Sequence, residues 1–281
     1  MCPTNDATIR HPAVSGMFYP QDPSDLRADV RKMLAAAGQV SVPGDLIAVI
    51  VPHAGIMYSG TVAAHAYRLL KPDSVARVVL VGASHRHPVH TVSVYPRGSW
   101  LIPGSEFPVD HEFIDAFTAK LSFDIEGPQA HDREHCLEVQ LPFLAETVGP
   151  VPISPMLLGR ARPVICEELG HAIAKTIHDD RPALLVASSD LSHFYDQQRA
   201  KKLDTVGIKA IMSLSAQKLY ERSRAGETEL CGRPAVMTVM CAAKELGANS
   251  ATMLSYATSG DVTGDWNEVV GYTAIALTRR H

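Results

Sequence analysis

The chain is short of the local signatures that identify common enzymes. Its 281 residues contain no G-x-G-x-x-G, Walker A, G-x-S-x-G or H-E-x-x-H. Glycine-rich phosphate cradles and the usual nucleophile and zinc-helix templates therefore have no support. Cysteine is scarce and irregularly spaced, at Cys2, Cys136, Cys166, Cys231 and Cys241, with no C-x-x-C. That excludes a disulfide framework as the organising device and makes a reducing cytoplasm the expected compartment. No apolar run approaches the ~18–20 residues that a membrane-spanning helix needs. The opening Met1-Cys2-Pro3-Thr4-Asn5-Asp6 has neither a positive nor an apolar segment, so no secretory signal is expected. The net charge is -4 and no Lys/Arg block is present. Nucleic acid and anionic membrane are poor partners for such a chain.

What the sequence does have is a β-α rhythm. Residues 46–51, 77–81 and 183–187 read as buried strands. Residues 91–95, 252–257 and 269–277 read as further strands. Residues 151–158 also look strand-like, and Pro152 and Pro155 suggest an edge or an irregular start. Helical spacing predicts helices over 60–70, 111–121, 137–147, 163–178, 204–214, 215–224 and 233–246, the last stopped by Gly247. The Pro- and Gly-rich residues 97–108 read as a loop. The expectation is one α/β domain over 1–281. Its central sheet is mainly parallel or mixed and is covered by helices on both faces.

Polar residues at the strand ends carry the chemistry. Pro52-His53-Ala54-Gly55 follows one strand, Gly82-Ala83-Ser84-His85 another, and Ser188-Ser189-Asp190-Leu191-Ser192-His193 a third. Parallel strand ends open into one crevice, so these residues can meet. Each histidine alone reads more simply as a satisfied structural residue. Two at equivalent strand ends favour a ligand role. Asp190 and His193, at i and i+3 on a turn or first helical turn, suit an oriented acid/base histidine, though Ser188, Ser189 or Asp190 could equally cap a short helix. Cys231 precedes a helix, whose N-terminus favours thiolate. His131-Asp132-Arg133-Glu134-His135 matches H-x-x-E-H, a zinc-peptidase signature that needs both histidines on one helix face. His135 and Glu138 could line a pocket, or could form a cap with a solvated face.

Taken together, these motifs resemble the MEMO family. The resemblance rests on Arg10-His11-Pro12-Ala13-Val14-Ser15-Gly16-Met17-Phe18-Tyr19-Pro20, Pro52-His53-Ala54-Gly55, Gly82-Ala83-Ser84-His85, and His135-Cys136-Leu137-Glu138-Val139-Gln140-Leu141-Pro142-Phe143. It extends through Ser188–His193, Cys231-Gly232-Arg233, Ser259-Gly260-Asp261 and Val270-Gly271-Tyr272, and so covers nearly the whole chain in order. The prokaryotic members are called AmmeMemoRadiSam system protein B.

The resemblance implies the fold of class III extradiol dioxygenases, which hold non-haem iron with two histidines and a carboxylate. It makes His53 and His85 the histidine ligands, Cys231 the third ligand and His193 the acid/base residue. Asp190, His135 and Glu138 become pocket or second-layer residues. Cysteine in place of the carboxylate makes the donor set softer, suited to iron, copper or zinc. Ala83 and Arg86 stand where other members commonly show proline and a second histidine.

The leading expectation is thus a metal-binding, dioxygenase-like protein acting on a small molecule. The alternative is an adaptor that binds a peptide or a radical SAM system partner protein. A zinc hydrolase through His131 and His135 is the third reading, and a homodimer is an open expectation.

Overall fold

The computed structural model describes residues 9–39, 41–178 and 181–281. The opening segment read for a secretory signal lies outside the described residues. The strands are β1 (Ile9–Arg10), β2 (Asp45–Val51), β3 (Arg77–Ala83), β4 (Val92–Val94), β5 (Ser99–Ile102) and β6 (Ser105–Pro108). They continue with β7 (Ile153–Leu158), β8 (Ala183–Ser188), β9 (His193–Tyr195), β10 (Ser250–Thr258) and β11 (Val269–Arg279). The helices are α1 (Pro23–Ala36), α2 (Ile56–Tyr67), α3 (His111–Thr118), α4 (Leu141–Thr147) and α5 (Pro163–Ala174). After them come α6 (Gln197–Met212), α7 (Ala216–Arg224), α8 (Arg233–Glu245) and α9 (Gly260–Thr263).

The main sheet runs β10-β11-β2-β8-β3-β7-β4, with β9 paired to β11. Its centre, β2-β8-β3-β7, is parallel. Both flanks are antiparallel, so the sheet is mixed. Every residue of β3 is buried, as is nearly all of β8. Burial on both faces at once requires helices on both sides, which explains the unbroken apolar strands. Helix α8 lies across β2, β8, β3 and β7, with α5 packed on it, while α2 lies along β10, β11 and β2. No helix among the described residues is long and apolar enough to cross a membrane.

Several local expectations are corrected. Residues 97–108 are not a loop but the β5-β6 hairpin, turning at Gly104 with φ of 81°. With β1 parallel to β5, they form a separate three-stranded sheet. Residues 137–147 do not make one helix, because a 3-10 turn at Glu138–Gln140 precedes α4. Strand β7 is not an edge, since it lies between β3 and β4. The carbonyl of Pro155 accepts from the Tyr95 N–H on the β4 side, so the missing proline N–H falls where the neighbour is shortest. Residues 190–193 form no helical turn. The chain crosses in extended form into β9, with Leu191 and Ser192 bonded to Gly271 of β11. Helix α1 went unread in the sequence.

Candidate metal centre

The parallel strands β2, β3 and β8 end side by side. The segments after them carry His53, His85 and Asp190. Their backbone comes close because small residues stand beside the ligand candidates. A Cβ on Gly82 would sit 2.6 Å from Cys136 Sγ, and one on Gly232 would collide with the Ser188 carbonyl and Ser189.

Three imidazoles face one another here. Ring centroids lie 5.1 Å apart for His53 and His85, 5.3 Å for His53 and His135, and 4.9 Å for His85 and His135. One nitrogen from each falls within 4.8 Å of the others. Cys231 Sγ lies 3.2 Å from His53 Nε2. His135, read from the sequence as a pocket residue, therefore stands in the same cluster as His53 and His85.

Buried partners set the ring orientations. The Ser188 hydroxyl donates to the Cys136 carbonyl at 2.7 Å, so its oxygen must accept from His53 Nδ1 at 2.8 Å. His53 then carries its proton on Nδ1 and leaves the Nε2 lone pair towards Cys231. Gln140 donates to the same Ser188 oxygen and to the Pro52 carbonyl. Burial, followed by the neighbouring His135 and His85, holds His53 well below the usual imidazole range. It is neutral, the form that ligates.

Glu134 organises the other two rings. Its carboxylate accepts from His85 Nδ1 at 2.9 Å and from the His85 backbone N–H at 2.6 Å. It also accepts the backbone N–H groups of His135 and Cys136. Burial alone would raise this carboxyl, but the adjacent His135 and His85 imidazoles outweigh it and hold it well below the carboxylate range. His85 is left with Nε2 free. Nδ1 of His135 lies 3.1 Å from Glu134 Oε1, yet this buried nitrogen has no partner in hydrogen-bonding geometry. A carboxylate behind metal-binding histidines is the usual supporting arrangement.

Cys231 is stitched to the β8 end. Its backbone N–H donates to the Asp190 carbonyl, its sulfur accepts the Asp190 N–H at 3.2 Å, and the Gly232 N–H donates to Ser189 Oγ. Burial first, then the Asp190 charge, pushes its thiol up to about 12. Without an ion this is a thiol, not the free thiolate that the helix N-terminus suggested.

The remaining sequence candidates divide. Asp190 Oδ1 accepts the His53 backbone N–H at 2.7 Å, so it braces the His53 segment instead of pairing with His193 at i+3. His193 is half-buried at the start of β9, close enough to act electrostatically on both His53 and Asp190. Glu138 is fully buried, with both oxygens bonded to the segment 10–19. It is neither a solvated face nor open to a pocket. His131 is also fully buried, between Tyr95 and Trp100, with Nε2 on the Ser93 carbonyl. The H-x-x-E-H reading needs His131 and His135 to converge, and they do not.

A family model described as Memo-like protein matches residues 10–276. The chain belongs to that family. Among Memo-like relatives, it is 37% identical over 278 residues to a MEMO1 family protein of Methanobrevibacter smithii, covering 95% of this chain and 98% of the relative. It is 34% identical to MEMO1 family proteins of Thermoplasma acidophilum, over 267 residues, and Thermotoga maritima, over 278. Each alignment covers 95% of this chain, with 97% and 99% of the respective relative. The His53, His85 and Cys231 motifs all fall within the matched span of this Memo-like chain.

Proposed function

We propose that this Memo-like protein is a metal-dependent oxidoreductase of dioxygenase type, acting on a small molecule. His53, His85 and Cys231 are the proposed ligands, with His135 turned to the same point. The observation that carries the reading is the convergence of three imidazole nitrogens within 4.8 Å beside the Cys231 sulfur. Two of the rings have their protons directed away from the cluster by Ser188 and Glu134. Imidazole and thiol donors suit iron, copper or zinc and not magnesium or calcium.

Bound iron or copper would supply redox and Lewis-acid chemistry at this point. The protein's part is to hold and orient. Glu134 and Ser188 direct the imidazoles, Asp190 braces the His53 segment, and His193 accepts or returns a proton. The test is metal analysis of protein purified anaerobically, with His53→Ala and Cys231→Ala alongside. Near-stoichiometric iron or copper in the wild type, lost in both variants, supports the reading. No metal after reconstitution overturns it.

One observation favours a second role. Met57 and Tyr58, just after His53, and Phe194, next to His193, are exposed apolar side chains near the centre in sequence. An adaptor would use such exposed side chains to hold a peptide or a radical SAM system partner protein. Partner capture that survives His53→Ala favours this role. Capture that depends on the metal favours the first.

A further inference from the structure

A cavity of about 310 Å³ opens beside the candidate metal centre. It reaches the cluster at Cys231, and at Ser84, the neighbour of His85. Its apolar walls include the buried Leu158, Leu230 and Pro234. Its charged lining is two arginines, Arg160 and Arg233, with no carboxylate. Neither guanidinium forms an ion pair among the described residues, although the chain has more acidic than basic side chains.

The two arginines differ in how they are held. Arg160 is exposed just past the end of β7. Arg233 donates from Nη1 to Ser223 Oγ at 2.9 Å and lies 5.6 Å over the Tyr220 ring, while its Nε is buried without a hydrogen-bond partner. A buried, unpaired charged donor is costly unless something meets it. Arg233 is also the first residue of α8, a 13-residue helix with no acidic residue in its first turn and no side-chain cap. A cation there opposes the helix dipole, whose positive end prefers an anion. Arg160, Arg233 and the start of α8 thus line one small space that has no carboxylate among its lining residues.

We propose that this cavity is an oxyanion subsite, in which Arg160 and Arg233 hold a carboxylate or phosphate group of the small molecule presented to the metal centre. The planar guanidinium fork matches both oxyanions. The volume suits a small ring or short chain. The assignment of this molecule as a substrate rests on the metal-centre reading above. The anion site itself does not depend on it.

The test is calorimetric titration of the purified protein with benzoate, and separately with inorganic phosphate, at about 0.15 M ionic strength. Wild type, Arg160→Gln, Arg233→Gln, Arg162→Gln and His53→Ala are compared, and metal content is measured on the same samples. The expected result is one saturable site for at least one anion, weakened about tenfold or more in Arg160→Gln and Arg233→Gln and unchanged in Arg162→Gln. The two probes distinguish a carboxylate from a phosphate preference. Because Arg160 is exposed, its variant tests the site even if Arg233→Gln unfolds. Absence of saturable binding, or equal binding in Arg160→Gln and wild type, overturns the subsite. So does loss of binding in His53→Ala, which places the anion on the metal. Anion binding by a metal-free protein keeps the subsite and removes the metal reading, and metal without anion binding does the reverse.

Discussion

Arg10 and Glu138 stand 128 positions apart and meet at 2.7 Å with both side chains buried. Glu138 also accepts from the backbone N–H groups of Ala13 and Val14 and from the Tyr19 hydroxyl. Arg10 bonds the carbonyls of His131 and Glu134 and lies 4.1 Å over the Trp100 ring. The pair fastens the early segment onto the turn that carries Glu134 and His135. Removing one partner strands a buried charge. Glu138→Ala should therefore lower unfolding free energy by about 3–5 kcal/mol in urea titrations. Its folded fraction should keep the metal. Metal loss at unchanged stability would instead make Glu138 part of the centre.

Glu134 acts at one remove from the proposed ion. Glu134→Gln keeps the shape but weakens the grip on His85 Nδ1. Metal affinity, read by chelator competition, should fall about 10–100-fold with the fold intact. Unchanged affinity would mean that His85 is held by its own packing.

His193 has a different expected signature. His193→Ala should abolish turnover and leave metal content unchanged, because no hydrogen bond ties its ring to the three-imidazole cluster. Loss of metal would move His193 among the ligands.

His131 supplies an acid-sensitive element away from the centre. Burial is the main cause that holds its pKa down to about 3. The Arg10 charge adds to this, while the Ser93 carbonyl and Glu134 oppose it. From the ordinary value of 6.5 down to about 3, the unfolded chain takes a proton that the folded chain refuses. Stability from this group is complete above that window and falls as pH drops through it, by roughly 1.4 kcal/mol per unit. Urea unfolding across the window should show a shallower acid loss in His131→Gln than in wild type. Parallel slopes would exclude His131 as the source.

Phe194 sits at φ of 61° with 71% of its surface exposed. A bulky residue there costs about 1 kcal/mol or more, and little burial offsets it. Asparagine tolerates this backbone. Phe194→Asn should raise the melting point modestly, while weakening any partner or substrate that uses the ring.

The strands that end in His53, His85 and Asp190 were legible because burial on both faces leaves unbroken apolar runs. Cys231 was legible from the helix that follows it. His135 was harder. Its ring reaches the cluster from an irregular turn, where no period marks a face, and Glu134 beside it was read as part of a helical signature. The supporting roles of Ser188 and Gln140 were hidden because their bonds cross 135 and 88 positions to His53 and Pro52. Pro103-Gly104 between Trp100 and Phe107 was the missed signal for the β5-β6 hairpin. The local conformation of residues 190–193 was misread because spacing alone does not separate a helical turn from a crossing into a strand.

The contact between His53 and Cys231 spans 178 positions. Between them come β3 and β8, the strands whose ends carry His85 and Asp190. On the ribosome, His53 and His85 emerge long before the cysteine exists. A nascent chain therefore has imidazoles but no finished cage, and contacts this distant form late. Any ion taken by the proposed centre would therefore meet its full donor set only after the chain has left the ribosome and folded.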